Sequence, residues 1–106
     1  MIIDPDKTYH IILKAGEDWA DKKAAYEAYE DSTKSVMGQI ASKFIDEGMA
    51  KGESEMRAAA SGEYIGHLDL KGEARRAYLL AQVKYDSLKL LADLRRSQES
   101  TRRAEL

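Results

Sequence analysis

The sequence predicts an all-α fold: a long antiparallel helical hairpin of coiled-coil character, with a short connecting helix. Three observations predict it. One proline (Pro5) and seven glycines are all that interrupt 106 residues rich in Ala, Glu, Lys, Leu and Arg, a mixture that favours long helices. Apolar and aromatic side chains recur in steps of three, four and seven, the period of a helical stripe. At 34% charged and 43% apolar, the chain is too apolar for a disordered tail and too polar for a thick globular core. Helices with narrow buried stripes satisfy both figures.

Asp4-Pro5 is a helix opening, because Asp can accept from the free first-turn amides and Pro tolerates the first helical position. Residues 5–15 are expected to be helical, with Tyr9, Ile12 and Leu13 at helical spacing, although Ile11-Ile12-Leu13 also suits a short strand. Ala15-Gly16 is expected to weaken the chain there, leaving 1–15 flexible or a separate short helix. A long helix follows over 17–47. Glu17, Asp18 and Asp21 suit the positive end of its dipole. Trp19, Tyr26, Val36 or Met37, Ile40, Phe44 and Met49 mark its buried stripe, with Lys22, Glu30, Asp31 and Lys34 on the opposite side. Gly48 is a candidate left-handed cap.

Met49 to Gly52 reads as a turn and 54–61 as a brief helix capped by Ser54, its alanines packed on a neighbour or simply favouring helix. Ser61-Gly62 interrupts it. The last helix is expected over 63–104, with Gly66 and Gly72 kinking it or delaying its start. Ala74, Ala81, Leu88 and Arg95 fall seven apart, as do Tyr78, Tyr85, Ala92 and Glu99. Together they form an a/d seam that turns polar toward its end, and Leu91 widens it. One hairpin has one inward face, so apolar surface stays exposed. A homo-oligomer, a dimer first, is the expected remedy.

With no cysteine, disulfide scaffolds, thiolate metal sites and cysteine nucleophiles are excluded. No apolar run reaches the ~18–20 residues of a membrane span, and no signal peptide is evident, so a soluble cytoplasmic protein without a membrane partner is expected. Residues 1–70 hold 8 basic and 14 acidic side chains (−6), and residues 71–106 hold 9 and 5 (+4). His10 and His67 belong to no spaced ligand set, even with Asp69 nearby, so each reads as a surface or partly buried histidine. Glu27, Glu30 and Asp31 have no enclosed site to separate their pKa values. Gly48 and Gly52 lack phosphate-loop spacing, and the serines lack a strained turn or a His partner. The expectation is a protein that is not an enzyme and needs no cofactor or metal.

Trp19, Tyr26, Tyr29, Tyr78 and Tyr85 could stack on bases of a single strand, but at helical spacing they read as packing residues. The sharpest binding candidate is Arg95-Arg96 with Arg102-Arg103, seven residues on, supported by Lys84 and Lys89. Four guanidinium groups along about two turns could hold phosphates. The plainer account is that cations suit a helix C-terminus and that Asp93, Glu99 and Glu105 interleave to neutralise the row.

Three stretches carry a resemblance: Ala15-Gly16-Glu17-Asp18-Trp19-Ala20-Asp21, Lys34-Ser35-Val36-Met37-Gly38-Gln39-Ile40, and the ending from Tyr85-Asp86-Ser87-Leu88-Lys89 through Arg103-Ala104-Glu105. Over most of the chain the pattern resembles small helical proteins encoded by bacteriophages and prophages, a mostly uncharacterised group. The resemblance implies an accessory of DNA recombination or replication gene clusters, and names neither a reaction nor a functional residue. Two functions are therefore expected as candidates. The first is an accessory that binds nucleic acid through Lys84, Lys89, Arg95, Arg96, Arg102 and Arg103. The second is an adaptor or inhibitor that engages a recombination or nuclease protein through acidic and aromatic helical faces.

Overall fold

The computed structural model describes residues 4–105; the expectation for residues 1–3 lies outside that range. Three helices follow in order: α1 (Pro5–Asp46), α2 (Lys51–Ala59) and α3 (Gly62–Glu105). α1 and α3 run antiparallel, as their cross-pairs show. Trp19 stacks on Tyr85 at 5.9 Å between ring centroids and Tyr26 meets Tyr78 at 5.2 Å. Toward the corner, Thr33 Oγ1 lies 3.1 Å from His67 Nε2 and Lys43 Nζ 3.5 Å from a Glu63 carboxylate oxygen. The molecule measures 82 × 19 × 16 Å, with a radius of gyration of 23.2 Å. A compact chain of this length would have about 13 Å. The expected helical hairpin is the observed fold.

α1 starts where its sequence signal lies. The Asp4 carboxylate accepts from the amides of Asp6 (3.0 Å) and Lys7 (3.4 Å), with Pro5 at the first helical position. The expected break at Ala15-Gly16 is absent, so 5–15 and 17–47 are one helix and Ile11-Ile12-Leu13 is no strand. Packing overrides the glycine penalty. Ala15 is buried, and a Cβ on Gly16 would lie 3.1 Å from the Tyr85 ring. Glycine lets the two helices approach there. Lys22 also departs from expectation: it is half-buried on the inner side of α1, paired with Asp18.

The corner closes α1 with the predicted glycine cap. Gly48 has φ 98°, its amide donates to Ile45 O at 2.9 Å, and the Met49 amide donates to Phe44 O at 3.1 Å. This is the Schellman pattern, in which a residue without a Cβ takes the left-handed position. Met49 therefore follows the cap and is not part of the helix. α2 begins at Lys51, earlier than expected, and ends at Ala59. Ser54 does not cap it: Ala50 holds that position without a side-chain bond, and Ser54 Oγ donates to Lys51 O at 2.7 Å. Ser54 and Ala58 are fully buried, because small side chains let α2 lie close on its neighbours. Ala58 joins Ile40 and Ala41, flanked by Val36, Met37, Phe44 and Tyr64.

α3 begins at Gly62, and neither Gly66 nor Gly72 delays it. Ser61 caps it, accepting from the Tyr64 amide at 3.2 Å. Among the described residues, the buried apolar set is Ala15, Ile40, Ala41, Ala58 and Ala81. Four of these are alanines, so most of the hairpin is held by half-buried aromatic pairs rather than by a deep core. No described helix is long and apolar enough to cross a membrane.

Candidate partner-binding faces

All six predicted basic residues are exposed on α3. Their spacing divides them into two rows. Lys89, Arg96 and Arg103 fall seven apart on one side of the a/d seam. Arg95 and Arg102 continue the Ala74-Ala81-Leu88 series of the seam itself, with Lys84 three turns upstream of Arg95, and half-buried Glu99 sits between the rows. Lys89 is already engaged, 3.6 Å from Asp86 and 4.3 Å above the Tyr85 ring centroid. Arg96 lies 3.5 Å from Asp93. Among the described residues, Lys84, Arg95, Arg102 and Arg103 have no carboxylate within ion-pair distance. The structure brings Arg95 and Arg96 to one place and leaves Lys84 well apart from Arg102 and Arg103.

That place is a cleft of about 460 Å³ at the open end of the hairpin. Tyr9, Ile11 and Ile12 of α1 face Leu88, Leu91 and Ala92 of α3 across it, and Arg95, Arg96 and Glu99 form its outer rim. Pro5 and Thr8 also line it, so α1 starts level with this turn of α3. Thr101 to Glu105, with Arg102 and Arg103, therefore extend beyond α1. The cleft has a simple origin. In the middle of the hairpin, Trp19, Tyr26, Tyr78 and Tyr85 fill the space between the helices. At the end, the facing residues include Thr8 and Ala92, which are too short to fill it.

A second face lies on the outer side of α3, away from α1. Leu80 is 58% exposed, Val83 63%, Leu90 61% and Leu94 54%. With Ser87 they alternate three and four apart, forming a second a/d stripe opposite the inner one. Leu79 and Leu91 flank it, both exposed. The outer side of α1 carries Glu17, Ala20, Asp21, Ala24 and Asp31, all exposed and small or acidic. Leu13 and Ile45 are also exposed on α1, so the apolar outer surface is richest on α3 without being confined to it.

Of the aromatic residues singled out in the sequence, Trp19 pairs with Tyr85 and Tyr26 with Tyr78 across the hairpin. Tyr29 meets His67 edge-on at 5.8 Å, and His67 Nε2 lies 3.2 Å from Tyr29 O. His67 is half-buried and ties α3 to α1. Among the described residues, no three metal-capable side chains cluster. Two features escaped the sequence reading. The α1 wall of the cleft was legible in Thr8, Ile12, Ala15 and Trp19, which continue the three-four spacing toward the N-terminus. The outer stripe was legible in Leu80, Val83, Ser87, Leu90 and Leu94, and was hidden by assigning α3 a single seam.

No protein-family model, curated protein or solved structure matches this chain.

Proposed function

We propose that this chain is a non-catalytic accessory protein that acts by helix-to-helix association through the outer face of α3. The observation that carries the reading is the exposed stripe of Leu80, Val83, Leu90 and Leu94. Fully burying a Val or Leu contributes about 1.5–3 kcal/mol, so each half-exposed side chain holds about 1 kcal/mol in reserve. With Leu79 included, two copies would bring about 10 kcal/mol. Association itself costs about 4–15 kcal/mol. The balance favours a dimer that is weak alone and is reinforced or replaced by a partner helix. The resemblance to phage- and prophage-encoded proteins points this partner toward a recombination or replication enzyme of phage or host.

Sedimentation equilibrium tests the reading. The native chain should rise from monomer to dimer mass as concentration increases into the high-micromolar range, where free energies of about −5 to −6 kcal/mol become visible. Val83→Glu with Leu90→Glu should stay monomeric and fully helical. A native chain that stays monomeric throughout that range would remove the second copy from the proposal.

A second reading is favoured by one observation: Arg102 and Arg103 extend past the end of α1, exposed and without ion pairs among the described residues. They suit a phosphate backbone. If four arginines each neutralise a phosphate, affinity for duplex DNA should fall with salt at a logarithmic slope of about −3.6. Converting Arg95, Arg96, Arg102 and Arg103 to Gln should abolish that binding at unchanged helicity. Anisotropy that shows no DNA binding at low salt would discard this reading.

A further inference from the structure

We infer that the cleft at the open end of the hairpin is a docking site for an acidic amphipathic helical segment of a partner protein. Its walls are apolar. Ile12, Leu88 and Ala92 are half-buried at its floor, while Tyr9, Ile11 and Leu91 remain exposed. A volume of about 460 Å³ falls within the range of ligand-sized clefts and suits two or three large aliphatic side chains projecting from one helix face. The rim sets the sign of the partner. Arg95 has no carboxylate within ion-pair distance among the described residues. Arg96 meets Asp93 at 3.5 Å through two highly exposed side chains, a pairing that a better-placed carboxylate can replace at little cost. Arg102 and Arg103 continue the cationic rim beyond the end of α1, opposed among the described residues by Glu99 in the lining and by Asp93 beside Arg96.

Apolar floor and guanidinium rim together select the occupant. An aliphatic face answers the floor, and carboxylates flanking it answer the forks of Arg95 and Arg96. A single nucleic-acid strand would satisfy the rim but would set polar base edges against aliphatic walls, leaving their hydrogen bonds unmade. A second copy of this chain would bring its aliphatic α3 stripe, but exposed Lys84 and Arg95 edge that stripe and would set like charges against the rim.

This inference rests on reading the chain as a binding protein but not on the outer stripe of α3, and its test keeps the two apart. The probe is a fluorescein-labelled helical peptide of about 14 residues, roughly 21 Å long, with leucines on one face and glutamates elsewhere. Its lysine counterpart and an oligothymidylate serve as competitors. The acidic peptide should bind the full chain, and the lysine peptide should not. Arg95→Glu with Arg96→Glu should weaken the acidic peptide at least tenfold and improve the lysine peptide. Thr8→Trp, which fills the cleft without changing charge, should weaken the acidic peptide as much, while Val83→Glu with Leu90→Glu leaves it unchanged. Circular dichroism on each variant verifies helix content. Failure of the acidic peptide to bind, indifference to Thr8→Trp, or stronger binding of oligothymidylate at the same cleft would overturn the proposal.

Discussion

Tyr85 makes three separate contacts at the middle of the hairpin. It lies against Gly16, stacks on Trp19, and carries the Lys89 ammonium over its face. Trp19 beside it is sandwiched further by Lys23, 5.3 Å from its ring centroid. The Trp19 indole nitrogen is buried without a hydrogen-bond partner among the described residues, so Trp19 contributes area rather than a polar tie. Two turns along, Tyr26 is held above its ordinary phenol range, first by the Glu30 carboxylate and then by partial desolvation. The sign of the resulting pH dependence follows. The neutral phenol is favoured in the fold, so its contribution is whole below the unfolded phenol value of about 10. It is lost as pH rises through the higher folded value. Melting temperature should fall from about pH 10 upward, and Glu30→Gln should soften that fall. An equally steep decline in the Gln variant would show that Glu30 is not its cause.

Among the helices, the glycines separate propensity from packing. Gly38 lies in the interior of α1 with nothing near its missing Cβ, whereas Gly16, in the same helix, faces the Tyr85 ring. Gly38→Ala should stabilise the protein by about 1 kcal/mol, the interior helix preference of Ala over Gly. At Gly16 the gain is opposed by the ring, so Gly16→Ala should be near neutral. Gly16→Val, branched against Tyr85, should lower stability by about 1–3 kcal/mol through overpacking. Thermal melts of the three variants decide it, and a stabilising Gly16→Val would contradict the close approach. This is also where the sequence was least explicit. Asp4-Pro5, Gly48 and the Ala74-to-Ala92 seam act through neighbours a few residues away, so their roles could be read locally. The continuity of α1 through Gly16 depends on a tyrosine 69 positions later in the chain, and Ser54 became a buried packing residue because α2 settles into the corner. Neither partner is visible from local spacing.

Across the whole molecule, the charged ending was legible and its division was not. Seven-residue spacing gave the two arginine rows, but only the level at which α1 begins determines that Arg95 and Arg96 rim a cleft while Arg102 and Arg103 stand beyond it. The outer leucines of α3 were present in the sequence and acquired a meaning only once the inner seam was known to be occupied by α1. The corner has a further consequence. Ile40, Ala41 and Ala58 converge there with Phe44 and Tyr64, and it is the one region where three helices meet. From it, two rods run outward, held by the Tyr26–Tyr78 and Trp19–Tyr85 pairs, and among the described residues they end in a cleft. Such a molecule is built like tweezers: its closed end keeps the jaws in register, and thermal opening should begin at the tips, where amide hydrogen exchange should be fastest. Whatever wedges into those tips acts at the far end of a long lever, where the least force separates the arms.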